Sequence, residues 1–109
     1  MGVNAFLPTG KTVTFTADTT APTPVQASQL TVGNGQYRII NAGSVLVFLG
    51  YATTAAEATT NAAVVSASGP AIPLLPGTDE ILSFVPNAYF TGITSSGTAA
   101  IYITPGDGL

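Results

Sequence analysis

Lys11 to Ala17 alternates cleanly, with Val13, Phe15 and Ala17 on one side of an extended chain and Thr12, Thr14 and Thr16 on the other. Successive side chains of a strand point to opposite faces, so the stretch reads as a strand with one buried face and one hydroxylated face. Pro22 and Pro24 end the pattern. Gln29 to Val32 and Gln36 to Ile40 then flank Gly33, Asn34 and Gly35, which tolerate positive φ, and the arrangement predicts a hairpin. Asn41, Gly43 and Ser44 form the next turn and lead into Val45 to Tyr51, whose two faces (Val45, Val47, Leu49 and Leu46, Phe48) are both apolar. A strand of this kind is either central and covered on both sides, or it meets a partner.

Ala52 to Asn61 is rich in Ala and Thr and too polar for a core strand, which predicts a loop with one helical turn around Glu57. Ala62 to Ala67 reads as a further short strand. Pro70, Pro73 and Pro76 follow, and a segment so poor in backbone donors is extended loop or sheet edge. Pro76-Gly77 turns the chain into Glu80 to Val85, Pro86-Asn87 into Ala88 to Thr94, and Ser95 to Gly97 into Thr98 to Thr104. Turn signals at intervals of about 8 to 12 residues, with no apolar pattern of helical period, predict an all-β chain. The expected architecture is an antiparallel β-sandwich, jelly-roll-like, of about seven or eight short strands over residues 11–109, preceded by an N-terminal arm over residues 1–10.

Composition narrows what such a sandwich does. The 109 residues hold 2 basic and 5 acidic side chains, 6% charged, although 46% are hydrophobic; a typical soluble domain is about 25% charged. Spread over a folded surface of roughly 5,600 Å², this is about one charge per 800 Å², close to one partner's share of a protein interface. Weakly charged surfaces associate, and the chain reads as part of an assembly. With no histidine and no cysteine, zinc centres, disulfides, thiol nucleophiles and histidine triads are excluded. Lys11 and Arg38 cannot neutralise a row of phosphates, so no nucleic-acid partner is expected. No membrane partner is expected either. Val45 to Ala52 is far shorter than a membrane span, Met1 to Pro8 lacks the regions of a secretory signal, and Phe6 stands where a myristoylation motif has Ser or Thr.

The carboxylates are the remaining candidates for chemistry. Asp79 and Glu80 are adjacent and in a strand point to opposite faces, so they do not form a catalytic pair. Asp18, Asp79, Glu80 and Asp107 have no calcium-loop spacing. The reading is a non-enzyme without cofactor or metal. Phe48, Tyr51, Tyr89, Phe90 and Tyr102 make either a sugar-stacking platform or, more in keeping with strand spacing, core and subunit contacts. Arg38, in a strand otherwise made of Tyr37, Ile39 and Ile40, is expected to pair with Asp79 or Glu80 and tie two strands together.

Three stretches carry a resemblance: Tyr37 to Gly50, Ile72 to Phe84 and Ala99 to Leu109, about a third of the chain. The sequence of a strand with Arg and Asn, a Gly turn, an apolar strand, Pro-Gly before an acidic apolar strand, and a last strand ending in Thr104-Pro105-Gly106 resembles small all-β virion proteins of tailed bacteriophages. Some of these serve as capsid decoration or cement proteins. The Ala/Thr insert between Tyr51 and Asn61 departs from that pattern. The resemblance implies a structural protein made in the bacterial host cytoplasm and placed on the outer capsid surface of the virion. Its partners would be the major capsid protein and further copies of itself, a trimer before a dimer.

Contacts are expected from Val3, Phe6 and Leu7 of the arm, from Leu46 and Phe48, and from Tyr89 and Phe90. The alternatives are a head-tail connector accessory or the base of a tail fibre or spike, and, in another class, a glycan-binding β-sandwich module.

Overall fold

A computed structural model of the chain describes residues 7–8, 10–28, 35–63 and 69–107, and the backbone alone of Leu7 and Asp107. The described residues form β1 (Leu7–Pro8), β2 (Val13–Ala17), β3 (Val25–Gln26), β4 (Gln36–Asn41), β5 (Val47–Ala52), α1 (Ala55–Asn61), β6 (Ile72–Leu74), β7 (Asp79–Ser83), β8 (Tyr89–Ile93) and β9 (Ala99–Asp107). One sheet runs β2, β9, β4, β7, with β1 continuing the β2 position along β9. The other runs β3, β8, β5, β6. All strand pairs are antiparallel.

The pairs nest. β5 pairs with β6, β4 with β7, β3 with β8 and β2 with β9, so the chain is one long hairpin. Rolling that hairpin brings β4 beside β9 and β5 beside β8 and closes the two sheets face to face. This is jelly-roll connectivity, with every strand in the sheet expected of it.

Alternation decides what fills the gap between the sheets. Phe15, Tyr37, Ile39, Ile101 and Ile103 enter from the first sheet and meet Val47, Leu49, Leu74 and Phe90 from the second, all nearly or wholly buried. Each such side chain contributes about 1.5 to 3 kcal/mol. Tyr37 meets Phe90 edge-on at 4.9 Å between ring centroids. Its hydroxyl donates to the Val85 carbonyl at 2.5 Å and accepts from the Ala88 N–H at 3.1 Å, which latches the turn between β7 and β8. Burial raises the Tyr37 pKa above the usual tyrosine value, partly offset by hydrogen bonds to the backbone of Ala88 and Asn87. Asn41, fully buried, holds the opposite end, donating to the carbonyls of Val45 and Leu74 and accepting from Gly43 N–H.

Several expectations need correction. The hairpin expected between Gln29–Val32 and Gln36–Ile40 has one arm in residues 29–34, which lie outside the described residues; its other arm, β4, has β7 on one edge and β9 on the other. Of the strand expected over Ala62–Ala67, only Ala62 and Ala63 are described, and neither is in a strand. The arm assigned to residues 1–10 includes two residues, Leu7 and Pro8, that pair with Asp107 and Gly106. The last strand runs on through Pro105, which a central strand normally excludes. Pro105 sits at the break between β1 and β2, where its missing N–H is not needed, and Gly10 makes room: a Cβ there would lie 2.7 Å from the proline ring.

Candidate interaction surface

Each sheet has one face turned inward, and their outer faces differ. On the second sheet the outward positions are Phe48, Gly50 and Ala52 of β5 and Tyr89, Thr91 and Ile93 of β8. Most are covered. The helix α1 lies on this face, and a Cβ at Gly50 would come within 2.4 Å of the Ala58 carbonyl. The helix forms because Ala55, Ala56 and Ala58 favour it and because Thr54 and Glu57 cap it. Thr54 Oγ1 accepts from the Glu57 N–H at 3.3 Å, while its hydroxyl lies 3.0 Å from the Glu57 carboxylate. The expected single turn is thus a seven-residue helix. The chain before β3 covers more of this face, since Thr91 is fully buried and donates to the Pro22 carbonyl at 2.8 Å.

On the first sheet the outer face is open. Register sets its rows: Thr14, Tyr102, Ile40 and Asp79 lie side by side across four strands, and Thr104, Arg38 and Ile81 form the next row. Tyr102 is 41% exposed and Ile81 46%, high for side chains of that size. Thr12 reaches Thr104 hydroxyl to hydroxyl at 2.7 Å, and Thr14 donates to the Ile101 carbonyl at 2.9 Å. Arg38 pairs with Asp79 on the diagonal, Nη2 to Oδ2 at 2.8 Å and Nε to the same oxygen at 3.2 Å. Both side chains are about half exposed, so the pair contributes at most about 1 kcal/mol. Glu80 falls on the other side of β7, in register with Ile39. An open cleft of about 540 Å³ lies beside the pair, lined by Arg38, Ile40, Gly77, Thr78, Asp79 and Glu80.

The residues expected at interfaces scatter. Phe90 is wholly buried and lies in the core, and Phe48 is 8% exposed; both are withdrawn from any surface. Their strands are central in the second sheet, so the doubly apolar strand takes the first of its two explanations, cover on both sides. Leu46 and Tyr89 are half-buried. Val3 and Phe6 lie outside the described residues, as does the Leu7 side chain. Tyr102 and Ile81 are the large apolar side chains that the open face presents. Tyr102 was legible, since it shares the alternation of Ala100 and Thr104 against Ile101 and Ile103. Ile81 was not, because Ile81 and Leu82 are adjacent and either fits the core.

Among the described residues no three His, Cys, Asp or Glu side chains converge to hold a metal ion, and no helix is long and apolar enough to cross a membrane. No protein-family model, curated protein or solved structure matches the chain.

Proposed function

We propose that this protein is a structural subunit of a tailed-bacteriophage particle, a decoration or cement protein that binds the outer face of the capsid and stabilises the shell. The observation that carries the reading is the open face of the first sheet, which presents Tyr102 and Ile81 beside the mutually neutralising Arg38–Asp79 pair, set against a second sheet that is covered. Aromatic and aliphatic side chains within a polar surround are what a protein contact uses. Four strand positions of about five residues give a face of roughly 300 Å². A stable contact needs nearer 800 Å² per partner, so a second surface is required. The N-terminal segment with Val3, Phe6 and Leu7 is proposed for it, since it enters the fold through β1 in this same sheet.

Such a protein works by linkage. Binding only to the assembled lattice raises the free energy of disassembly, by about 2.7 kcal/mol per site when free protein stands at 100 times Kd. The net charge of −3 supports the outer face, because packaged DNA would call for cationic side chains on the inner one. A sugar platform has less support, as two of its five rings, Phe48 and Phe90, are inside.

Counting this chain in purified particles tests the reading. Hundreds of copies, with a shell that disassembles at lower temperature when they are stripped, is the expected result. About a dozen copies would make it a connector component, and no association with the shell would end the proposal.

A further inference from the structure

A strand at a sheet edge offers the backbone groups that point away from its neighbour. In β7 these can be assigned. The Asn41 N–H donates to the Thr78 carbonyl at 3.0 Å, and the Phe84 N–H to the Gly35 carbonyl at 2.6 Å. Antiparallel pairing alternates, so Glu80 and Leu82 turn their N–H and C=O groups toward β4. Asp79, Ile81 and Ser83 turn theirs outward, where β7 has no neighbouring strand among the described residues.

The other edges are guarded. Pro8 lies in β1, Pro73 in the middle of β6, and β3 is two residues long directly after Pro24. β2 packs against β3 and β8 at the corner of the sandwich. β7 contains no proline and carries the exposed Ile81.

We propose that β7 docks on β7 of a second copy, antiparallel, about a twofold axis at Ile81. In this register Ile81 faces the partner's Ile81 and Asp79 faces the partner's Ser83, so every outward N–H and C=O of the three residues is used. Charge selects it. Moving the axis to Glu80 sets two glutamates directly opposite each other, which is unfavourable. Moving it to Leu82 leaves Asp79 beyond the partner strand. With the axis at Ile81, Glu80 faces the partner's Leu82, and the Ser83 hydroxyl can donate to the partner's Asp79 carboxylate. An isologous contact of this kind closes at two copies, where the resemblance led to an expectation of three. Five residues a side make a contact smaller than a standard interface, with a dissociation constant on the order of 0.1 to 1 mM.

The inference stands on the edge alone and is tested on the isolated protein, so its failure leaves the capsid reading untouched. The chain has no cysteine, and single replacements act as rulers. Ile81→Cys places two thiols on a hydrogen-bonded pair with Cα atoms about 5.5 Å apart, within disulfide range. Asp79→Cys separates them by about 14 Å, four residues along the strand and one strand spacing across. Under mild oxidation near 0.5 mM protein, Ile81→Cys should form the covalent dimer at least tenfold faster than Asp79→Cys or Glu80→Cys. Ile81→Pro removes an outward N–H that β4 does not use; it should keep the wild-type circular dichroism and sediment as a monomer where the wild type shows dimer. Equal cross-linking at the three positions, a wild type monomeric at millimolar concentration, or a dimer that survives in a folded Ile81→Pro would overturn the proposal.

Discussion

The two outer faces of this sandwich are built from similar strands and end in opposite states. On the second sheet, Gly50 lacks a side chain so that α1 can lie directly on the strand, and Thr91 gives its hydroxyl to the chain at Pro22. The first sheet has the same width, yet its outer face is left to threonines, Tyr102, Ile81 and one half-exposed ion pair. The insert between β5 and β6 accounts for the difference. It is the bend of the long hairpin, and its Ala-rich helix supplies one sheet with a third layer while the other has none among the described residues. An apolar side chain on the covered face is part of the fold; on the open face it is available to a partner.

Aromatic truncation is the largest test of that contrast. Phe48→Ala, on the covered face, should lower unfolding free energy by about 3 to 5 kcal/mol in a denaturant titration. Tyr102→Ala, on the open face, should stay within about 0.5 kcal/mol of wild type and act on shell occupancy instead. Similar losses at both positions would mean that the faces do not differ. Gly50→Ala comes next. The new Cβ would sit 2.4 Å from the Ala58 carbonyl and 2.5 Å from the Ala62 nitrogen, so α1 must move, and a loss of about 1 to 3 kcal/mol is expected by the same titration. A neutral Gly50→Ala would show that the helix is not seated on β5. Thr54→Ala removes the cap and should lower stability by about 1 kcal/mol, with faster amide exchange confined to α1 and the strands under it.

How far the sequence anticipated this depends on the physics at each place. β2 was fully legible, because Val13, Phe15 and Ala17 alternate with threonines and a half-buried strand leaves that signature. β5 was legible as a strand, but two apolar faces have the same pattern whether the cover comes from the chain itself or from a partner. What covers it is a helix capped by the Thr54 hydroxyl, which accepts from the Glu57 N–H, and short enough to hide inside an Ala/Thr run. Pro105 misled for a different reason. A proline reads as a strand end unless its neighbour strand is interrupted, and the break between β1 and β2 is a long-range fact that no local pattern contains. The contact between Arg38 and Asp79 was foreseen from chemistry alone, as a lone guanidinium in an apolar strand seeks an acid. The choice of Asp79 over Glu80 came from register, which sets Asp79 on the face of Arg38 and Glu80 on that of Ile39.

That ion pair gives the smallest expected effect and the sharpest view of the open face. A pair shielded by a covering layer would couple by several kcal/mol and resist salt, whereas one in water gives about 0.2 to 1 kcal/mol and fades as ionic strength rises. Arg38→Gln, Asp79→Asn and the double variant form the cycle, with Glu80→Gln as the partner that register excludes. The expected coupling between Arg38 and Asp79 is below about 1 kcal/mol at low salt, is largely gone near 1 M salt, and is absent for Arg38 with Glu80. A larger, salt-resistant coupling would place another layer over this sheet in solution. The covered and open faces would then be two covered ones, and Tyr102 and Ile81 would cease to be free for a partner.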